Sequence, residues 1–340
     1  PEGLVPFEDC GFARHPFAPL AGEPVRVDCR VDADDGRPVL RLCVDGEPER
    51  EIASESEDGR RYHFLLGAFV LGQKVRYRIV TRKEESPVYA FEPLRERQAV
   101  RPRAILEDGN RLHAVFDGFS VTFSQEDGAL CMEAHTRPVR GMPREAAEWP
   151  LGEHFCLSLG KQVSFCQLKR LSQPVLSMDR YVLRETAKGR ITSLRLEGQL
   201  PCRYVWGTGE RFDRVNQRVG GSNGRVVEKF TQQGDQTYLP IPFFMTETGL
   251  GWYGEGDIPV ELRFAGGLSV TRQTQGETLG RDRLFFGAPA RLLRRFIECT
   301  GEPALPPEWA FGLWISANGW NCDREVEAQL AALKEHGCPA

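Results

Sequence analysis

The sequence predicts a mainly β protein, built as a small sandwich, then a larger one, then the opening strand and helix of an α/β domain. Three observations predict it. Apolar and polar residues alternate with period two through most of the chain, as in strands with one buried and one wet face. Asp-Gly pairs, which supply positive φ cheaply, punctuate those runs about every ten residues. After Gly287 the pattern changes to helical spacing. The chain has 340 residues, enough for about two domains of roughly 150 residues each.

Residues 1–97 read as an antiparallel β domain. Val25, Val27, Cys29 and Val31 alternate with Arg26, Asp28 and Arg30. Leu40, Leu42 and Val44 repeat the pattern, as do Val75, Tyr77 and Ile79, with Asp35-Gly36, Asp45-Gly46 and Asp58-Gly59 between or beside them. Short strands at this spacing suggest an immunoglobulin-like sandwich. A polar, Arg-rich stretch at 93–103 carries no core pattern and marks the first boundary. From about 104 to 288 the alternation resumes, within a second domain set at 98–288, punctuated by Asp108-Gly109, Asp117-Gly118 and Asp127-Gly128. No long helix is indicated there, so a large β-sandwich is expected. Gly220-Gly-Ser-Asn-Gly224 reads as a loop.

Residues 289–340 differ. Leu292, Leu293, Phe296 and Ile297 share helical spacing over 289–300, and Gly301 stands as a stop. Pro303, Pro306 and Pro307 make a stiff linker, and the apolar run 310–315 reads as a strand buried on both faces. A helix over about 324–336 follows, with Val326, Leu330 and Leu333 on one face, Asp323 as its cap and Lys334 and His336 in its last turn. A strand followed by a helix returns the chain to a parallel neighbour, and none follows Ala340. The sequence is therefore expected to stop just inside a larger α/β domain.

Composition excludes several function classes. Lys+Arg is 44 against 48 Asp+Glu, a net charge of −4 that argues against a dedicated nucleic-acid binder. The longest apolar stretch, 64–72, is far below the roughly 18 residues of a spanning helix, so no membrane partner is expected. The first residues show neither a basic nor an apolar signal region. Ten cysteines include no C-x-x-C pair, and a chain of this size needs no disulfide staples. Reduced thiols in a cytoplasmic protein are the expectation. Cys131 and His135 alone make too small a metal set, so neither a metal nor a cofactor is expected.

Catalytic signatures are sparse. Gly207-Thr-Gly209-Glu-Arg-Phe212 departs from a dinucleotide fingerprint at its sixth position and opens no helix. Gly160-Lys161 lacks the rest of a phosphate loop, and no Ser nucleophile elbow occurs. Aromatic and polar residues concentrate instead in two places. One is 206–238, with Glu210, Arg211, Asp213, Arg214, Asn216 and Arg218. The other is 309–321, with Trp314, Asn318 and Trp320. Sugars are held by aromatic faces against C–H surfaces and by polar groups on hydroxyls. Trp309 and Trp314 have core packing as their competing role, and Glu210 and Asp213 have pairing with Arg211 and Arg214. Trp320 lies in a loop after a parallel strand, the end that carries active sites in α/β barrels.

These same residues carry a family resemblance. Tyr204-Val-Trp-Gly-Thr-Gly-Glu-Arg-Phe212 resembles the Tyr-x-Gly-Leu-Gly-Glu-Arg-Phe segment of family 31 glycoside hydrolases, with Thr208 where Leu is frequent. Tyr238-Leu-Pro-Ile-Pro-Phe-Phe244 with Gly249-Leu-Gly-Trp-Tyr253, and Leu305-Pro-Pro-Glu-Trp-Ala-Phe-Gly-Leu-Trp314, resemble the next two blocks in order. The resemblance implies that 98–288 is the family's mutarotase-like N-terminal β-sandwich. It also implies that 289–340 holds a linker helix and the first strand–helix unit of a truncated (β/α)8 barrel, with 1–97 an accessory module. It implies a retaining α-glycosidase acting on α-glucoside-like or α-xyloside-like substrates, including oligosaccharides, whose catalytic aspartates lie beyond Ala340. The segment alone is then inactive, with Trp320, Asn318 and Trp314 as substrate-binding candidates. A non-catalytic carbohydrate-binding protein is the rival reading. A mutarotase-like epimerase is another, and it needs a His/Glu pair that spacing does not find among His113, His135 and His154.

Overall fold

The computed structural model describes residues 12–338 apart from 57, 152–154, 161–162, 168–173, 223, 225, 229–232, 275, 313, 315 and 317–318. It is mainly β, as expected, and its named strands all pair antiparallel.

Two four-stranded sheets form the first sandwich. One runs Phe12–His15, Pro24–Arg30, Arg61–Ala68, Glu55–Ser56, and the other Arg50–Ala53, Val39–Val44, Val75–Val80, Tyr89–Phe91. Alternation sends Val25 and Val27 inward from the first sheet to meet Leu40, Leu42 and Tyr77 from the second, around Phe64. At Asp45-Gly46 both residues have positive φ, 52° and 84°, the backbone of a tight hairpin turn whose twist matches the strands. Asp127-Gly128 repeats it at 50° and 73°.

The large sandwich packs two nine-stranded sheets over one core. The first runs Met142–Arg144, Ala104–Asp108, Arg111–Val115, Ser120–Glu126, Ala129–His135, Thr278–Phe286, Leu250–Glu255, Pro240–Thr246, Val205–Gly209. The second runs Ala147–Leu151, Phe155–Leu159, Val163–Gln167, Pro174–Glu185, Ile191–Gln199, Leu268–Gln273, Val260–Arg263, Gly221–Ser222. Its ninth strand, Arg95–Ala99, lies against 181–185. The Arg-rich stretch is thus a strand: Arg95 and Arg97 both reach the buried carboxylate of Glu185, the latter through Nε at 2.9 Å. Part of the glycine loop is also paired, since Gly221–Ser222 opposes 262–263.

Buried polar groups bridge the two sheets where the chain crosses from Leu268–Gln273 to Thr278–Phe286. Arg272 and Asp282 form an ion pair, and Trp252 Nε1 donates to Asp282 Oδ1 at 3.0 Å. Arg272 and Asp282 are each only 6% exposed. Burial raises the Asp282 carboxyl above its ordinary range, offset in part by Arg272 and then by the indole.

Helix α1, Pro289–Thr300, begins and ends where its spacing predicts. Proline at the first position loses no helical hydrogen bond, and Gly301, at φ 104°, closes the end by donating to Ile297 O. Leu292 is buried among Ala129, Phe243 and Phe285, and Phe296 stacks on Phe243 at 4.2 Å.

Residues 297–340 form a separate compact unit. The strand expected over 310–315 is not formed by its described residues: Glu308–Phe311 is a 3-10 turn, and Trp314 donates to Ala310 O at 2.9 Å. A continuous apolar run does not by itself select a strand, because extended backbone needs a neighbour to satisfy it. Among the described residues no strand lies alongside. Trp314 is accordingly 72% exposed rather than buried, and Trp309 packs against it at 6.1 Å. Helix α2, Asp323–Glu335, forms as expected, but Cys322 holds the cap position and Asp323 is the first helical residue. Glu325 reaches back to the Asn321 N–H instead.

Candidate functional site

Described residues from 204–222 and 233–247 gather about Val205–Gly209, the last strand of the first large sheet. Three successive residues, Gly207, Thr208 and Gly209, have φ of 113°, 71° and 92°. Two of them must be glycine. A Cβ on Gly207 would meet Phe243 O at 2.6 Å, and one on Gly209 would meet Ile241 N at 2.7 Å. The register with Pro240–Thr246 shifts here, so the Gly-Thr-Gly block is a bulge that turns the strand out into a loop. Thr208 holds a conformation uncommon for a side-chain-bearing residue while fully buried.

Arg211 fixes the bulge. Its Nε donates to Thr208 Oγ1 at 3.0 Å and its Nη1 to Asp235 O at 3.1 Å. Burial pulls the guanidinium below its ordinary range, against the pull of Asp213 and Asp235. Asn216 Oδ1 accepts from Val205 N and Arg218 N, and Arg218 Nε donates to Cys202 O. Most of the polar residues concentrated here therefore hold backbone. Asp213 pairs with Arg214 at 2.8 Å. Glu210 instead meets the Tyr238 hydroxyl, whose proton it retains by hydrogen bonding.

What the bulge presents outward is aromatic. Tyr204 and Trp206 stack at 5.7 Å with rings nearly parallel, and Phe212 leans on Tyr238 at 5.5 Å. Tyr204, Phe212 and Tyr238 are exposed. Flat rings beside a carboxylate suit the C–H faces and hydroxyls of a sugar.

Trp320 is half-buried in the loop before α2, Trp314 is exposed, and Asn318 lies outside the described residues, as do His154 and Cys10. Sequence spacing leaves the histidines unpaired, yet the sheet brings His113 and His135 to either side of Thr122 Oγ1, at 2.8 and 2.7 Å. Glu133 is taken by Arg137 rather than by an imidazole. The signal was available: with a hairpin turn at Asp117-Gly118, His113 falls opposite Thr122. No group of three or more ligating side chains that could hold a metal occurs among the described residues. No helix among them is long and apolar enough to cross a membrane.

No protein-family model matches the chain. An alpha-xylosidase from Lactiplantibacillus pentosus is 30% identical over 145 residues, covering 40% of this chain and 18% of its own length. A 1,3-alpha-isomaltosidase from Kribbella flavida is 32% identical over 152 residues, covering 43% of this chain and 21% of its own. The chain thus spans about a fifth of these relatives. The fold resembles that of the cycloalternan-forming enzyme from Listeria monocytogenes, solved with a pentasaccharide substrate. Its TM-score is 0.73 at 20% identity, over 98% of this chain and 36% of that one. The first two motif blocks lie in and beside the bulged strand, and the chain is similar to relatives of the family 31 glycoside hydrolase type, in their N-terminal domain region.

Proposed function

We propose that the chain is the N-terminal portion of a retaining α-glycosidase that hydrolyses O-glycosyl bonds of α-glucoside-like or α-xyloside-like substrates. The observation that carries this is its similarity to curated α-xylosidase and isomaltosidase sequences, together with a Gly-Thr-Gly-Glu-Arg-Phe block that sets aromatic rings at a sheet edge. The strand order of the first sandwich supports an immunoglobulin-like accessory module, since it corresponds to sheets of the ABED and CFG kind with one strand added. Residues 98–288 are then the mutarotase-like sandwich, and 289–340 lead into a (β/α)8 barrel whose neighbouring strands give 310–315 its backbone partners. The two carboxyl groups, about 5–5.5 Å apart in retaining enzymes, come from that barrel. Free, buried Cys29 and Cys131, with thiols pushed up by burial to about 12 and about 11, support a reducing cytoplasm.

The test is turnover. The purified 340-residue chain releases no aryl group from aryl α-glucosides or α-xylosides, whereas the protein extended through the sequence beyond Ala340 does. Robust turnover by the short chain overturns the proposal. In the extended protein Trp320 and Asn318 are proposed to face the substrate, with Trp314 beside them. Trp320→Ala then lowers kcat/KM by more than about tenfold, roughly 1.4 kcal/mol of transition-state stabilisation. A variant that unfolds while its folded fraction keeps normal kinetics makes Trp320 a packing residue instead.

A further inference from the structure

On the outer face of the first large sheet, three side chains form a hydrogen-bonded chain that the glycosidase reading does not use. Leu112, Val121, Phe123 and Met132 point into the core, so the residues alternating with them point out. His113 stands directly opposite Thr122, and the next strand carries His135 on the same face. His113 Nδ1 and His135 Nε2 lie 2.8 and 2.7 Å from Thr122 Oγ1. One hydroxyl thus ties together Arg111–Val115, Ser120–Glu126 and Ala129–His135.

A hydroxyl has a single proton, so one neutral ring donates to Thr122 Oγ1 while the other accepts from it. A proton added to the accepting ring makes both rings donors, and the hydroxyl's own proton loses its acceptor in the chain. The added charge is also taken out of water, because His113 and His135 are only 5% and 4% exposed.

The charged groups facing the pair leave that cost standing. Asp108 favours a charge on His113, and Arg111 opposes it. Arg137 opposes a charge on His135, whereas Glu133, Glu277 and a hydrogen bond to the Arg137 backbone favour one. Glu133 is itself bound by Arg137, and Glu126 by Arg281 at 2.9 Å. Arg140 adds a positive charge to the cavity that the pair lines, and the Cys131 thiol there, pushed up to about 11, stays neutral. Burial prevails at both rings and holds them below their ordinary pKa, with His135 the next cause at His113.

We propose that His113, Thr122 and His135 form an acid-sensitive latch, which clasps the three strands while both rings are neutral and opens when the pair takes up a proton. In the unfolded chain the rings gain protons near about pH 6.5, before the buried pair does. The latch is therefore fully closed above that pH and weakens as pH falls below it.

The test uses the whole chain with ¹⁵N-labelled histidines. NMR follows the ring nitrogens through the titration, and amide exchange reports protection of the three strands. Both rings are expected to titrate below about pH 6.5. Protection, corrected for the intrinsic exchange rate, is expected to fall more than about tenfold between about pH 7.5 and 5.5. His135→Phe keeps a flat ring with no nitrogen to protonate, and in the folded variant that fall should shrink by about threefold or more. Either ring titrating at or above about pH 6.5, protection that does not fall, or an undiminished fall in folded His135→Phe overturns the proposal. If His135→Phe does not fold, the two measurements on the unaltered chain still decide. Glycosidase activity of the extended protein, present or absent, changes none of these outcomes.

Discussion

Replacing Arg272 with methionine lowers the stability of the large sandwich by about 3–5 kcal/mol, because it leaves the buried Asp282 carboxylate without its counter-charge. The geometry makes this site unforgiving. A Cβ on Gly280 would come within 2.6 Å of the Arg272 side chain, so the glycine makes room for the guanidinium. Arg272 Nη1 also donates to Arg281 O at 3.1 Å, so the backbone loses a partner too. Adding Asp282→Asn to Arg272→Met removes the stranded charge and keeps an acceptor for Trp252, and should recover part of the loss. Urea denaturation measures both. A cost below about 1 kcal/mol for the single variant would show that water reaches the pair and that it does not fasten the sheets.

Gly209→Ala is the second change with a large expected effect. The new Cβ would collide with Leu239 O and approach Ile241 N within 2.7 Å, at a φ of 92° that alanine adopts only under strain. A cost of more than about 2 kcal/mol is expected. Loss of the Arg211 fastening should follow, because the bulge positions the Thr208 carbonyl that it grips. Gly234→Ala is the control: its φ is also positive, at 59°, but nothing among the described residues lies within 4 Å, so it should cost only about 1 kcal/mol. Equal effects of the two would mean that positive φ alone, rather than close approach of Pro240–Thr246, explains the Gly-x-Gly pattern.

Local signals were legible in the sequence wherever they were sufficient. Pro289, the Leu292–Phe296 spacing and Gly301 each act within a few residues, and α1 follows them to both ends. Val25, Val27 and Cys29 alternate and point inward as read. What depended on distant partners was not legible. Arg95 and Arg97 look like linker until Glu185, 90 and 88 residues away, gives their strand a neighbour. The run 310–315 looks like a buried strand, yet Ala310 and Phe311 lie in a 3-10 turn. At the candidate site the two glycines and the aromatics could be named, but not that Arg211, Asn216 and Arg218 hold backbone. The pairing of His113 with His135 needed strand register as well as alternation.

The most direct measurement is the anomer first released from an aryl α-glucoside or α-xyloside by the protein extended through the proposed barrel, followed by proton NMR before mutarotation. Two carboxyl groups close enough for a covalent intermediate invert the anomeric centre twice, so the account predicts that the α-anomer forms first. The β-anomer forming first, or no turnover by the extended protein, would contradict it.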